Sequence, residues 1–124
     1  MLSASHQKAY QEFLVLLTEF QENVRDEGGK IDLATIKERF RQLQQCFERE
    51  IAPLSAENLL EATAPRWQAI QRELIREFRL LSTDILFLAS ARQTATRETK
   101  LKAIRDRFDK LINYCQTMIS RSQL

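Results

Sequence analysis

The sequence predicts an all-α protein, an antiparallel up-down-up-down four-helix bundle with a short extra turn between helices two and three. Glycine and proline occur only twice each among 124 residues, which leaves little room for the tight turns of a β-fold. Apolar residues recur at steps of three and four, the spacing that places them on one face of a helix. Four such stripes are joined by short polar segments, so we expect a single bundle domain over residues 1–124.

The first stripe predicts a helix from about Ser5 to Asp26. Ser5 is a suitable N-cap residue, and Gly28-Gly29 would stop the helix because glycine tolerates positive φ. The apolar members of this stripe are Tyr10, Phe13, Leu14, Leu17, Phe20 and Val24.

The second stripe predicts a helix that starts after Asp32, whose carboxylate can accept hydrogen bonds from free backbone amides. We expect Pro53 to end it, because the residue before a proline avoids helical backbone angles. Ser55 then begins the short turn that carries the chain across the end of the bundle. The stripe consists of Leu33, Ile36, Phe40, Leu43, Phe47 and Ile51.

The third helix is predicted to begin after Thr63 as its N-cap, with Pro65 in the first turn, where a missing amide costs nothing. Its stripe consists of Trp67, Ile70, Leu74, Phe78, Leu81, Ile85 and Leu88. Three further apolar residues in its second half lie outside this stripe: Leu80, Leu86 and Phe87. We expect them to be covered on several sides; the alternative is that they offer apolar surface to another molecule.

The third and fourth stripes are not separated by glycine or proline. The small polar segment 90–96 predicts a tight connection, with Thr94 and Thr96 as candidate caps. One continuous helix reaching Met118 is the alternative, and it would need a coiled-coil partner. The fourth stripe consists of Leu101, Ile104, Phe108, Leu111, Ile112, Cys115, Met118 and Ile119.

The chain contains few side chains in the arrangements that catalysis needs. Its single histidine, His6, is expected to be solvated near the start of the first helix, and it leaves neither cysteine an activating base. Cys46 and Cys115 lie 69 residues apart without a CxxC pattern, which predicts free thiols in a reduced compartment, with Cys115 in the core. The acidic residues fall mainly opposite or beside the stripes. We therefore predict no enzyme activity, no metal and no cofactor.

Asp84 is a separate case, because it falls beside the third stripe in apolar company. We expect a structural ion pair with Arg79, Arg92 or a base of the fourth helix, since a buried acid needs a partner. A functional acid is the alternative interpretation.

Charge is distributed unevenly along the chain. Residues 1–60 hold seven basic against ten acidic residues, whereas residues 89–124 hold eight basic against three acidic ones. This asymmetry predicts either neighbouring acidic and basic helices or a basic docking surface for an acidic partner. The densest apolar run, Ile85–Ala89, is too short to cross a bilayer, and no signal-peptide pattern opens the chain, so we expect a cytoplasmic protein.

Four strings of residues go beyond generic bundle patterning. They are Tyr10–Leu14, Arg79–Asp84, Ala91–Thr96 and Leu111–Gln116, and in order and spacing they resemble the family of the cyanobacterial heterocyst frequency control protein PatD. The resemblance is closest from Arg79 onward. It implies a cytoplasmic regulator that limits how often vegetative cells become heterocysts and that contacts the tubulin-like division protein FtsZ. In a cyanobacterium without heterocysts, the link to cell division would remain.

The resemblance assigns no binding residues, so the candidate positions come from the chain itself. Arg92 and Gln93 in the connection are able to hold a partner's carboxylates or backbone, and Arg97 and Lys100 extend them to a basic end of the bundle. Arg79 is a further candidate, on an outward arginine stripe of the third helix. A nucleic-acid-binding bundle that uses the basic C-terminal third is the alternative function, and a homodimer stays open.

Overall fold

A computed structural model of the protein describes residues 4–24, 33–57, 59 and 61–122. These residues form α1 (Ala4–Val24), α2 (Leu33–Cys46), α3 (Ala64–Ser90) and α4 (Thr94–Ser122), and a π-helical turn (Phe47–Ile51) continues α2. No strand occurs within the described ranges. The predicted all-α four-helix bundle is therefore confirmed.

The order of aromatic contacts shows how the helices run. Phe13, near the middle of α1, contacts Phe47 in the π-helical turn that continues α2, with ring centroids 6.0 Å apart. Phe20, later in α1, contacts Phe40, further back in α2, at 6.5 Å. The two helices therefore run antiparallel. Helix α4 packs against both α1 and α3, so the core lies between all four helices.

Phe78 of α3 joins the two sides of the core. Its ring stacks on Phe47 with centroids 4.1 Å apart and on Phe40 at 5.6 Å, at interplanar angles of 11° and 16°. It also lies 5.9 Å from Phe13 of α1. Because one ring contacts aromatic residues of both α1 and α2, it fixes how α3 sits against that pair.

The helical run of α2 ends where Pro53 predicts, but its last turn is wider than an α-helix. The amide of Ala52 donates to the carbonyl of Phe47 at 2.8 Å, a π-type bond that spans five residues. The carbonyl of Ile51 accepts from the amide of Leu54 at 3.1 Å and from Gln71 Nε2 at 2.9 Å. A side chain of α3 thus supplies a partner at the end of this helix, where backbone carbonyls lack intrahelical donors.

Two of the predicted helix caps differ from the structure. Ser5 lies inside α1, which already includes Ala4, so it is not the N-cap. Thr63 does hold the N-cap position of α3 and Pro65 lies in the first turn, as predicted, but the Thr63 backbone is already helical (φ −94°, ψ −32°) and its side chain does not cap. The predicted capping and stop residues at 26, 28, 29 and 32 lie outside the described residues.

Helices α3 and α4 are separate, so the prediction of a tight connection is confirmed and the continuous-helix alternative is wrong. Ala91 leaves the helical region with φ −73° and ψ 128°. The amide of Arg97 then donates to the carbonyl of Gln93 at 3.1 Å, which opens the hydrogen-bond ladder of α4. Thr94 and Thr96 consequently lie within the first turn of α4, not before it.

The expectation that His6 is solvated is wrong, because the segment after α2 covers it. Only 5% of His6 is exposed. Its Nε2 lies 2.9 Å from the carbonyl oxygen of Ser55, and its ring meets Trp67 edge-on at 5.5 Å. Since a carbonyl can only accept, Nε2 carries the proton and donates it. His6 therefore fastens the start of α1 to the segment that leads into α3.

Candidate protein-interaction surface

Four of the five predicted site residues lie together at one end of the bundle. Arg92, Gln93 and Arg97 are exposed at the connection between α3 and α4, and Lys100 follows one turn further along α4. We call these four residues the basic end. Arg79 lies apart from them on α3, roughly 20 Å away along the helix at 1.5 Å per residue. The structure thus brings four candidates together and leaves one on a separate part of α3.

Arg97 has a structural task within the basic end. Its Nε donates a hydrogen bond of 2.9 Å to the carbonyl oxygen of Ala91. That carbonyl belongs to the residue where the chain turns out of α3. Arg97 therefore stabilises the connection while its side chain stays at the surface, where the rest of the guanidinium can meet an acceptor.

Lys100 connects the basic end to exposed apolar surface on α3. Its Nζ lies 4.8 Å from the centroid of the Phe87 ring, within the range of a cation–π contact. The same nitrogen lies 4.0 Å from Asp84 Oδ1, at the long end of an ion pair. The side chain of Lys100 is 31% exposed, so an incoming molecule would reach the lysine and the ring together.

Two large apolar side chains stand in solvent beside the basic end. Leu86 is 70% exposed and Phe87 is 53% exposed, whereas Leu80 is half-buried. The expectation that all three are covered is wrong for Leu86 and Phe87, because α3 packs on only part of its circumference. We define the α3–α4 surface as these two residues with the four of the basic end.

Arg79 lies on a second feature of α3, a shallow groove with a volume of about 360 Å³. The groove is formed by one helix alone. It is lined by Arg72, Ile75, Arg76, Arg79 and Leu80. The three arginines are exposed on a common side of α3, as the stripe predicted from their spacing.

An ion-pair network fixes the register between α3 and α4. Arg107 Nε donates to Asp84 Oδ2 at 2.6 Å, and Arg107 Nη1 donates to Glu77 Oε2 at 2.9 Å. Burial lowers the pKa of Arg107, but the hydrogen bonds to the two carboxylates outweigh it and raise the pKa overall. The prediction that a base of the fourth helix pairs with Asp84 is confirmed, and Arg79 and Arg92 do not take that role.

Glu77 departs from the interpretation that the acids point outward, since only 3% of it is exposed. Besides Arg107, it has Lys110 Nζ at 3.7 Å and Arg76 Nη1 at 3.9 Å. Three bases around one buried carboxylate account for its burial. Glu77 is therefore enclosed by its ion-pair partners, and its carboxylate is not accessible to a substrate.

A series of buried hydrogen bonds crosses the core near the start of α3. Trp67 Nε1 donates to the Tyr10 hydroxyl at 2.8 Å, and the hydroxyl donates to Gln71 Oε1 at 2.7 Å. Burial raises the pKa of Tyr10 far above its usual range, although the hydrogen bond from Trp67 opposes that shift. The hydroxyl is therefore a neutral structural donor and acceptor rather than a proton-transfer group.

Both cysteines are buried free thiols, as predicted for Cys115. Burial, with a smaller contribution from nearby Cys46, raises the pKa of the Cys115 thiol to about 12. Burial also raises the pKa of Cys46. Since the thiolate is the reactive form, neither residue is an activated nucleophile. Among the described residues, no group of three or more potential ligands could hold a metal ion.

Stability is expected to fall at alkaline pH because of Cys115. The folded state holds this proton up to a pKa of about 12, against an ordinary value of 9.0. The buried thiol contributes fully to the free energy of unfolding below pH 9.0, the ordinary pKa. This contribution is lost as the pH rises through the folded-state pKa of about 12. Urea unfolding between pH 8 and pH 11 should show a shallower decline for Cys115→Val than for the wild type. Identical declines in the two proteins would contradict this role of the thiol.

The chain matches no protein-family model, no curated protein and no solved structure. Across the described ranges, none of the helices is both long enough and apolar enough to span a membrane.

Proposed function

We propose that this chain is a non-enzymatic cytoplasmic regulator that binds another protein through the α3–α4 surface. The observation that carries the proposal is the exposure of Leu86 and Phe87 directly beside the basic end. Protein interfaces commonly combine an apolar centre containing aromatic residues with a polar rim, and arginine is enriched in them. Apolar side chains exposed to this degree contribute little to the bundle's own core, and their position side by side favours a role in recognition.

Nucleic-acid binding is the alternative that the basic C-terminal third suggested. Several of its bases have partners within the bundle. Arg107 pairs with Glu77 and Asp84, and Arg105 Nη2 donates to the Val24 carbonyl at 3.2 Å. Lys110 lies 3.7 Å from Glu77, and Lys100 lies 4.0 Å from Asp84. The bases left are interrupted by acids, and Leu86, which is 70% exposed, offers no hydrogen bond to phosphate. The geometry therefore favours a protein.

The partner we propose is FtsZ, and this rests on the resemblance to the PatD family. The corresponding role would link cell division to the control of heterocyst frequency. Two strings that carry the resemblance, Arg79–Asp84 and Ala91–Thr96, flank or contain parts of the α3–α4 surface. This overlap supports the choice of surface.

Reversing the charge of the basic end is expected to weaken FtsZ binding by about tenfold or more, since an acidic partner would meet like charges. The variant Arg92→Glu with Arg97→Glu tests this by titration calorimetry. Lys37→Glu with Arg39→Glu, on the exposed side of α2, makes the same charge change elsewhere. Unchanged affinity of the first variant, or an equal loss in the second, would contradict the proposed site.

Removing the apolar centre is expected to weaken binding without unfolding the bundle. Leu86→Ser with Phe87→Ser should lower FtsZ affinity by about tenfold or more, because central apolar residues carry much of an interface's energy. Val15→Ser is the matched control, since Val15 is 56% exposed on α1. Affinity should also survive a rise in salt, whereas phosphate binding would fall steeply. A steep fall of FtsZ affinity with salt, or no effect of the double variant, would contradict an apolar centre at Leu86 and Phe87.

A further inference from the structure

The shallow groove on α3 lies where a side chain of another helix would pack. Arg72, Ile75, Arg76 and Arg79 follow the spacing i, i+3, i+4 and i+7, which outlines the four-sided hole of helix–helix packing. Ile75, one of the four, and Leu80 beside them supply the apolar part of the groove, and both are half-buried. Every wall belongs to α3, so no helix of the described bundle fills the hole.

The same side of α3 leads from this groove to the exposed apolar pair. Steps of three and four residues run from Arg79 through Thr83 to Leu86 and Phe87, so these positions share one face. From Arg72 to Phe87 the face is roughly 22 Å long at 1.5 Å per residue. We call it the outer face of α3. Apolar residues occur along the whole outer face, and its arginines lie in the half nearer the start of α3.

The charge on the outer face is only partly neutralised. Arg76 is held by Glu73 at 3.4 Å and by Glu77 at 3.9 Å. Arg72 and Arg79 form no ion pair with any residue in the described part of the chain, and both are exposed. Two free guanidinium groups therefore flank an apolar floor, an arrangement that suits carboxylates beside an apolar ridge.

A twofold pairing of α3 with α3 of a second copy does not suit this face. Such a pairing would set arginines of one copy against arginines, or against the basic end, of the other. Glu73, the acid beside the groove, is already paired with Arg76. Charge complementarity therefore selects a partner segment that is acidic.

We infer that the outer face of α3 receives an acidic amphipathic helix of the partner as a fifth helix of the bundle. One apolar side chain of that helix fills the hole around Ile75, and others cover Leu86 and Phe87. Its carboxylates pair with Arg72 and Arg79. This helix-in-groove mode places apolar anchors of the ligand at steps of three, four and seven residues. The inference rests on the proposed function and names the chemistry of the bound segment.

A displayed library of helix-forming peptides tests the inference. The peptides are about 18 residues long, enough for roughly 27 Å of helix, and vary in the number and spacing of acidic, basic and apolar residues. Selection on the immobilised full chain should enrich acidic peptides whose apolar residues recur every three or four positions. Enrichment of basic or non-amphipathic peptides, or no enrichment, overturns the inference.

Variants of the two free arginines make the test specific. Arg72→Glu with Arg79→Glu should weaken binding of an enriched peptide about tenfold or more and shift the selection toward basic peptides. Lys37→Glu with Arg39→Glu should leave both unchanged. Peptide binding that survives the first variant overturns the inference.

The peptide selection does not use FtsZ. Failure of the proposed function and failure of the inference about the helical ligand therefore give different results. Enriched acidic peptides without FtsZ binding would support the inference and reject that partner. FtsZ binding at the α3–α4 surface without any enriched peptide would support the proposed function and reject the helical ligand.

Discussion

Replacing Phe78 by alanine is expected to lower the free energy of unfolding by about 3–5 kcal/mol, the cost of deleting a buried aromatic side chain. Phe78 is 3% exposed and its ring contacts Phe40, Phe47 and Phe13. The deletion removes apolar burial and also opens a cavity among three rings that cannot all move to fill it. Urea unfolding followed by circular dichroism measures the loss.

Phe87→Ala is the matched control, because it makes the same change on the same helix at a side chain that is 53% exposed. It should cost less than about 1 kcal/mol, since little apolar area is lost from the core. Similar losses for the two variants would show that α3 does not face the core through Phe78.

Replacing Arg107 by methionine is expected to lower the free energy of unfolding by about 3 kcal/mol, because it leaves two buried carboxylates without their main partner. Glu77 and Asp84 are 3% and 7% exposed, and Arg107 donates to both. Lys110 at 3.7 Å from Glu77 and Lys100 at 4.0 Å from Asp84 keep the loss from being larger. Lys102→Met, at an exposed position of the same helix, is the control and should cost little.

A further variant separates the effect of the unpaired carboxylates on stability from the effect of losing the packing of Arg107. In the triple variant Glu77→Leu, Asp84→Leu, Arg107→Met, no carboxylate of the network is left unpaired. Its stability should recover most of what Arg107→Met loses, because apolar replacement of a whole buried ion network is often close to neutral. A triple variant less stable than Arg107→Met would mean that the network itself, and not the orphaned charge, stabilises the bundle.

The helices follow from the sequence because their apolar stripes are local patterns. The buried residues Phe13, Phe78 and Phe108 all lie on predicted stripes. Glu77 shows the limit of that reasoning. It flanks Phe78 on the side where α4 packs, and periodicity alone does not reveal which flank of a stripe a neighbouring helix covers. His6 is a similar case, since the Ser55 carbonyl that holds it lies 49 residues away in the chain.

The candidate surface was only partly predictable for the same reason. The basic end could be recognised because Arg92, Arg97 and Lys100 are close in sequence at a polar connection. The sequence also marked Leu86 and Phe87 as lying off the stripe, but their exposure depends on how much of α3 its neighbours cover. The hole between Arg72 and Arg79 requires a free helix face, which no local pattern establishes.

Hydrogen–deuterium exchange of the full chain, with and without FtsZ, tests the central claim most directly because it maps the bound surface without any substitution. If FtsZ binds through the α3–α4 surface, exchange should slow in peptides covering residues 79–100 and stay unchanged in those covering α2. Helical amides respond because a bound partner suppresses the local opening that permits exchange. Slower exchange confined to α1 or α2, or no change at a saturating FtsZ concentration, would contradict the claim.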